Sequence, residues 1–385
     1  MTENNIYTIS RPPTDDFTYD LFVDLMKPFG NHNDIYYIWS NPPDLLTRFL
    51  KKSSFSSPVV FIGIKDILDA WWEEDFNWWR NRRQFMAGVI SDMARTNPDK
   101  VFVLFVSLEN LHLVLDEPNL HVIPWGGDWV NQRNEYTKLK PVLDKNFLSE
   151  KPFISLNRNL RDHRIVLLSY LFGNGLEQYG QISYLDDLHK KLLTPFLDLI
   201  YWEFGPEHDD IRSKILSGYD KMNKSDQLLS DEYNIYGDSI NNNIHNFESR
   251  LRGLYRDSFV EIVTESSFTP TSFQLTEKTA HAFYGCNFPI ILSGCGAVAH
   301  LRQLGLDMFD DVVDHAYDLI ENPFDRITTA VDANRRLLTD ADYTKQAWQT
   351  HKSRFENNVE VMRGIYSWYE QRTRQQFAKT LELFK

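Results

Sequence analysis

The sequence predicts an α/β protein of two domains, each built on a parallel sheet. Three observations carry this. Short, β-branched apolar runs recur between amphipathic segments in both halves of the chain. From Phe259 to Gly305 the order is strand, loop, helix, strand, glycine turn, helix, which is how parallel sheets are assembled. A length of 385 residues favours more than one core. The domains are expected over residues 1–150 and 151–345, with a helical tail over 346–385 packing back towards the first domain.

Residues 1–16 are polar, and Asp20–Met26 reads as a short helix. Asp34–Trp39 is a strand, stopped by the turn at Asn41, Pro42 and Pro43. Asp44–Lys51 is helical. Strands follow at Pro58–Gly63, Val101–Val106 and His121–Pro124, with a long or broken helical stretch over Asp66–Arg95. In that stretch Trp71 and Trp78, like Trp72 and Trp79, share a helix face. They read either as a packing stripe against the sheet or as a stacking platform for a sugar or base beside Arg80, Arg82 and Arg83. Residues 130–150 read as a connection between domains.

The second half opens on the strand Phe153–Leu156 and a turn carrying Arg158, Arg161 and Arg164. Arginines placed directly after a strand suit a polyphosphate; the same residues also fit a solvated basic turn. Ile165–Phe172 is an apolar helix ended by Gly173. Residues 205–250 are polar and read as an excursion or helical insertion. Phe259–Val263 and Pro289–Leu292 are short buried strands. Between them Thr276 caps a helix that begins at Glu277 and is stopped at Gly285. Gly294 and Gly296 open a turn into a helix ending at Gly305. Helical segments follow from Val312 to Leu338, then a long amphipathic helix from Trp348 to Phe384.

In open parallel sheets, ligands bind beyond the carboxyl ends of the strands. Glu265, Thr276, Glu277, Lys278, Gly294 and Gly296 all fall there. Lys278 is the informative one, because a cation in the first turn of a helix opposes the macrodipole. An anion bound jointly by the ammonium and the helix N–H groups would account for it, and so would pairing with Glu277. Carboxylates at Glu265 and Glu277 could accept hydrogen bonds from sugar hydroxyls.

Composition narrows the class. The formal net charge of −13 argues against a broad nucleic-acid footprint, though not against a local basic cleft. The two cysteines, Cys286 and Cys295, have no metal-type spacing and read as small core residues. The first residues lack a basic or apolar leader, and no apolar run reaches the ~20 residues of a membrane helix, so a cytoplasmic location with no membrane span is expected.

One ordered set of motifs goes further. Arg161-Asp162-His163-Arg164 follows a strand. Thr264-Glu265-Ser266 ends another, and Thr276-Glu277-Lys278 opens a helix. Pro289 to Gly294 is an apolar strand running into a glycine. Leu304-Gly305-Leu306 to Phe309, Tyr317-Asp318 and Arg326-Ile327 complete the set. Over residues 153–340 this resembles the C-terminal domain of fucosyltransferase-like glycosyltransferases of the GT-B fold. The pattern departs at Ser266-Ser267, where that family has Asn-Ser, and over 205–250; residues 1–150 carry none of these motifs.

The resemblance implies two Rossmann-like domains facing a cleft. It implies transfer of a sugar from a nucleotide-diphosphate donor to a hydroxyl acceptor, inverting and without a metal. Arg158, Arg161, Arg164 and Lys278 would hold the donor phosphates. Glu265, Thr276, Glu277, Gly294 and Gly296 would hold sugar and ribose. An inverting transfer needs a carboxylate base, which by analogy belongs to the N-terminal domain. Asp128, after a strand and two glycines, is the first candidate and Asp66 the second; Asp128 also reads as a turn carboxylate. A glycan is the expected acceptor, and a hydroxylated base in DNA is a third reading that the charge disfavours. The alternative from another class is a non-catalytic sugar- or nucleotide-binding protein on the same fold.

Overall fold

The computed structural model describes residues 7–8, 17–29, 34–38, 55–64, 88–106, 115–126, 137–157, 162–184, 209–222, 247–265, 268, 273 and 275–383. Asp66, Asp128, Arg158, Arg161, the expected helix Asp44–Lys51 and the tryptophan stretch from Trp71 to Arg83 lie outside the described residues. The fold is α/β with two parallel sheets, as the alternating pattern predicts. The chain divides into two compact units. The first comprises Met1–Arg133, Thr271–Gln274 and Gly364–Lys385, and the second Asn134–Pro270 and Leu275–Arg363.

In the first unit, strands β1 (Tyr7–Thr8), β2 (Asp34–Ile38), β3 (Val59–Ile64), β4 (Val101–Val106) and β5 (Leu120–Pro124) lie side by side in chain order, all parallel. β3 and β4 are apolar throughout because both faces of the sheet are covered. Val60, Ile62, Ile64, Phe102, Leu104 and Val106 pack with Val89, Ile90 and Met93 of the helical residues 88–96. On the other face, Phe22 of α1 (Phe17–Met26) meets Phe105 edge-on at 5.3 Å, and Phe377 lies 5.5 Å from Phe105 and 6.0 Å from Phe61. Phe377 belongs to the helix Lys352–Glu382, whose Arg374 reaches Asp24 of α1 at 2.8 Å.

In the second unit the sheet holds β6 (Phe153–Asn157), β7 (Gly180–Tyr184), β8 (Val260–Thr264) and β9 (Phe288–Leu292), parallel in the order β7-β6-β8-β9. The chain steps from β6 to one side, then returns and steps to the other, so the strand order reverses between β6 and β8. The helices are α2 (Asp162–Gly173), α3 (Asp209–Met222), α4 (Arg252–Arg256), α5 (Glu277–Tyr284), α6 (Ala297–Gln303), α7 (Pro323–Ala333), α8 (Arg335–Thr339), α9 (Ala341–Thr350) and α10 (Lys352–Glu382), the last extending into the first unit. Part of the polar stretch over 205–250 is therefore α3, which lies on α2. A Cβ at Gly218 would overlap the backbone carbonyl of Ser169, and one at Gly173 that of Lys214.

The amino ends of the strands carry an aromatic cluster. Phe288, Phe309 and Phe355 lie 4.4–5.0 Å apart, and Trp348 stacks on Phe355 at 5.6 Å. Trp348 Nε1 also donates to the Cys286 carbonyl at 2.7 Å. Gly285 does not end α5 by adopting a left-handed conformation: its φ is −66°, and Cys286 takes the positive φ of 53°. The glycine is needed because a Cβ there would overlap the Tyr255 ring. Among the described residues no helix is long and apolar enough to cross a membrane.

Inside the unit, Glu261 of β8 is buried and accepts a hydrogen bond from the Tyr255 hydroxyl at 3.0 Å. Burial pushes its carboxyl up from 4.5 to about 8, against the pull of that bond and of Lys145. Between those values the folded chain holds a proton that the unfolded chain has released. The contribution of Glu261 to stability should therefore fall as pH rises from 4.5 to about 8, by at most about 1.4 kcal/mol per pH unit. Glu261→Gln keeps an acceptor for Tyr255 and should flatten that slope, read from urea unfolding of both proteins across the window.

Candidate functional site

The carboxyl ends of β6, β8 and β9 are tied together by side chains. Thr264 Oγ1 at the end of β8 donates to Asn157 Oδ1 at the end of β6, at 2.8 Å. The first turn of α2 reaches across: Arg164 Nη2 donates to the Thr264 carbonyl at 3.0 Å, and His163 Nε2 lies 3.0 Å from the Glu265 carbonyl. Both side chains are buried. Arg164, expected on the donor phosphates, is thus placed on the end of β8, where its charge sits against the strand's last carbonyl.

Glu265 is fully buried. Its carboxylate accepts from the Thr276 N–H at 2.8 Å, the Thr276 hydroxyl at 2.6 Å and the Thr279 hydroxyl at 2.5 Å. It therefore fastens the start of α5 to the end of β8. Thr276 is the N-cap, accepting from the Lys278 N–H at 3.4 Å, as the sequence predicts. Lys278 Nζ bonds Glu277 at 2.6 Å and Thr276 Oγ1 at 3.2 Å, and about a fifth of its side chain is exposed. Partial burial works against ionisation of Glu277, but the adjacent ammonium overcomes it and holds the carboxyl at about 2. Glu277 stays charged at any physiological pH, and the pair is local, between consecutive residues. Glu265, Thr276, Glu277 and Lys278 form one connected network at the tip of β8.

The tip of β9 lies beside it, since the Glu265 N–H donates to the Leu292 carbonyl at 2.9 Å. The turn 293–296 follows. Gly296 has φ 81°, a left-handed conformation that suits glycine, and its N–H donates to the Asp318 carbonyl at 3.1 Å. The Asp318 carboxylate accepts from Val298 and Ala299 N–H, both at 3.1 Å, and so caps α6 from a distant segment. Burial pushes this carboxyl up while the two N–H groups pull it down. Cys295 is half-buried, and its Sγ lies 2.8 Å from Arg326 Nη2.

The structure thus gathers Glu265, Thr276, Glu277, Lys278, Gly294 and Gly296 at neighbouring strand ends, with Arg164 behind them. His163, Phe268 and Arg326 join them, and periodicity gives no sign of this. Asp318 and Arg326 stand in the ordered motif set, and that order is the signal for them.

No family model and no curated protein sequence matches the chain. Among solved structures it is similar to a UDP-forming alpha,alpha-trehalose-phosphate synthase from Burkholderia xenovorans, with a TM-score of 0.43, 12% identity, and coverage of 90% of this chain and 73% of that one. A second such synthase, from Burkholderia vietnamiensis, gives a TM-score of 0.37 and 11% identity over 92% and 79% of the two chains.

Proposed function

We propose that this chain is a GT-B-type glycosyltransferase that moves a sugar from a nucleoside-diphosphate donor to a hydroxyl acceptor. The observation that carries the reading is the reversal of strand order between β6 and β8. At such a point two loops part, and the crevice beyond their strands is where open α/β sheets hold ligands. The network of Glu265, Thr276, Glu277 and Lys278 sits at one side of that point, and Arg158 and Arg161 follow the strand on the other side, β6, in sequence.

The chemistry suits these residues. A departing nucleoside diphosphate gains negative charge, which fixed cations and backbone N–H groups stabilise without a nucleophile. Lys278, Arg158 and Arg161 take that role, while Arg164 steadies the strand end beneath. When Lys278 turns from Glu277 to a phosphate, the Glu277 carboxyl is released to accept from sugar or ribose hydroxyls. Glu265 acts by holding Thr276 and α5 in place. Asp128, then Asp66, is the assigned base for an inverting transfer, which on this reading uses no metal.

Lys278→Ala should weaken nucleoside-diphosphate binding by about 1.5–3 kcal/mol, with little change in stability without ligand. Arg161→Ala is the parallel variant. Calorimetry with UDP, GDP and CDP checks both, and unchanged affinity in both would withdraw these residues from the donor site. Slow hydrolysis of one nucleotide sugar by the wild type supports an enzyme; binding with no hydrolysis would favour the non-catalytic alternative.

A further inference from the structure

Arg326 of α7 is 1% exposed and places several donors on one small region. Nε donates to the Ile320 carbonyl at 2.7 Å, Nη1 to the Ser293 carbonyl, and Nη2 to Cys295 Sγ at 2.8 Å and the Glu321 carbonyl at 3.3 Å. Its guanidinium carbon lies 5.2 Å from the centre of the Phe268 ring. Phe268 in turn stacks on His163 at 4.9 Å, with 16° between the planes, and His163 holds the Glu265 carbonyl. One guanidinium thus connects the turn after β9, the segment that carries Asp318, and the loop after β8. An arginine suits such a place because its donors are fixed in a plane.

The peptide between Ser293 and Gly294 shows what this connection does. The described chain has no cis peptide bond, so the Gly294 N–H points away from the Ser293 carbonyl. That carbonyl faces Arg326; the N–H is therefore aimed the opposite way. Gly294 is buried, and none of the described residues accepts a hydrogen bond from its N–H. A buried N–H normally has a partner, so one aimed by a fixed guanidinium points to a ligand atom. We propose that Arg326 is a positioning residue for the donor site: through Ser293 and Cys295 it grips both neighbours of Gly294 and directs the Gly294 N–H at the bound nucleotide sugar. This rests on the donor-site reading above.

The test uses the full chain with Arg326→Gln, Arg326→Lys and Cys295→Ala. Nucleoside-diphosphate affinity is measured by calorimetry, and the alkylation rate of Cys295 by mass spectrometry, with the fully buried Cys286 as internal reference. Arg326→Gln should weaken binding about 10- to 100-fold and make Cys295 react faster even without nucleotide. Arg326→Lys, which keeps one charged donor for Ser293, should recover part of the affinity. Cys295→Ala, which removes one of the two grips, should cost a few-fold. If Arg326→Gln does not fold, the other two variants decide. A folded variant set with wild-type affinity, or an unchanged Cys295 rate in Arg326→Gln, overturns the proposal. A wild type that binds no nucleoside diphosphate overturns the donor-site reading and this one with it; wild-type binding with unaffected variants overturns this one alone.

Discussion

Lys145→Met should lower the unfolding free energy of the second unit by about 3–5 kcal/mol, because it leaves several buried acceptors without a donor. Lys145 is buried, and its Nζ lies 2.5–2.8 Å from four acceptors: the carbonyls of Tyr255, Ser258 and Gly285, and Asn287 Oδ1. Those acceptors belong to the end of α4, the approach to β8 and the link from α5 to β9. Burial pushes the ammonium down to about 7, against the pull of the acidic groups around it, Cys286, Glu261, Asp144 and Asp257. Methionine fills much of the volume but leaves the acceptors without a donor, at about 1–3 kcal/mol for each one that water cannot reach. The loss should appear as a lower urea midpoint with the slope unchanged. Nucleotide affinity of the folded protein should survive, because these contacts lie at the amino ends of the strands. A midpoint within error of wild type would mean that water or a neighbour replaces the amine.

Gly218→Ala is expected to cost about 3 kcal/mol, the upper part of the usual range for an overpacked site. Within an exposed helix the same change would be favourable by roughly 0.5–1 kcal/mol, because alanine is the better helix former. The sign reverses here because the new methyl meets backbone. A Cβ at Gly218 overlaps the Ser169 carbonyl and crowds Gly173 N, neither of which can rotate aside, so α2 and α3 must separate. Gly253→Ala in α4 is the control: nothing lies within 4 Å of a Cβ there, and that variant should gain stability. Thermal unfolding of the two variants beside wild type checks the contrast, and a neutral Gly218→Ala would show that the helix pair yields without loss.

What the sequence reveals depends on how local the cause is. Val101–Val106 is legible to the residue because a strand buried on both faces is an unbroken apolar run. Thr276, Glu277 and Lys278 are legible because a cap and a first turn are decided within four residues. β7 is not, because Gly180-Gln181-Ile182-Ser183-Tyr184 carries a weak apolar signal and lies at the edge of its sheet. Of the helical segments expected from Val312 to Leu338, the first part differs. Asp314 to Ile320 instead forms a turn and one short 3-10 segment, held by His315 on the Met308 carbonyl and by Asp318 on α6. The expected tail helix is likewise two, α9 and α10, parted at His351. Lys145 gives no sign in the sequence, because what fixes it is a set of acceptors brought together only by the fold; Arg326 stands in the ordered motif set, but the carbonyls that hold it are likewise assembled only by the fold. Arg164 shows the converse, a residue well placed in sequence whose guanidinium the fold turns onto a strand end.

The parallel sheet of the second unit also governs how the chain is made. Asn157 and Thr264, bonded at the tips of adjacent strands, are 107 residues apart. No hairpin can bring β6 and β8 together, and closing so long a loop carries an entropic cost that local contacts do not offset in advance. On the ribosome β6 can pair early with β7 on one side. Its other side must wait for β8, for on the order of ten seconds at ordinary rates of synthesis. During that interval Phe153 and Ile154, wholly buried in the finished protein, line an open strand edge. That edge is a natural holding point for a chaperone, and over-rapid expression should send the chain into aggregates through it.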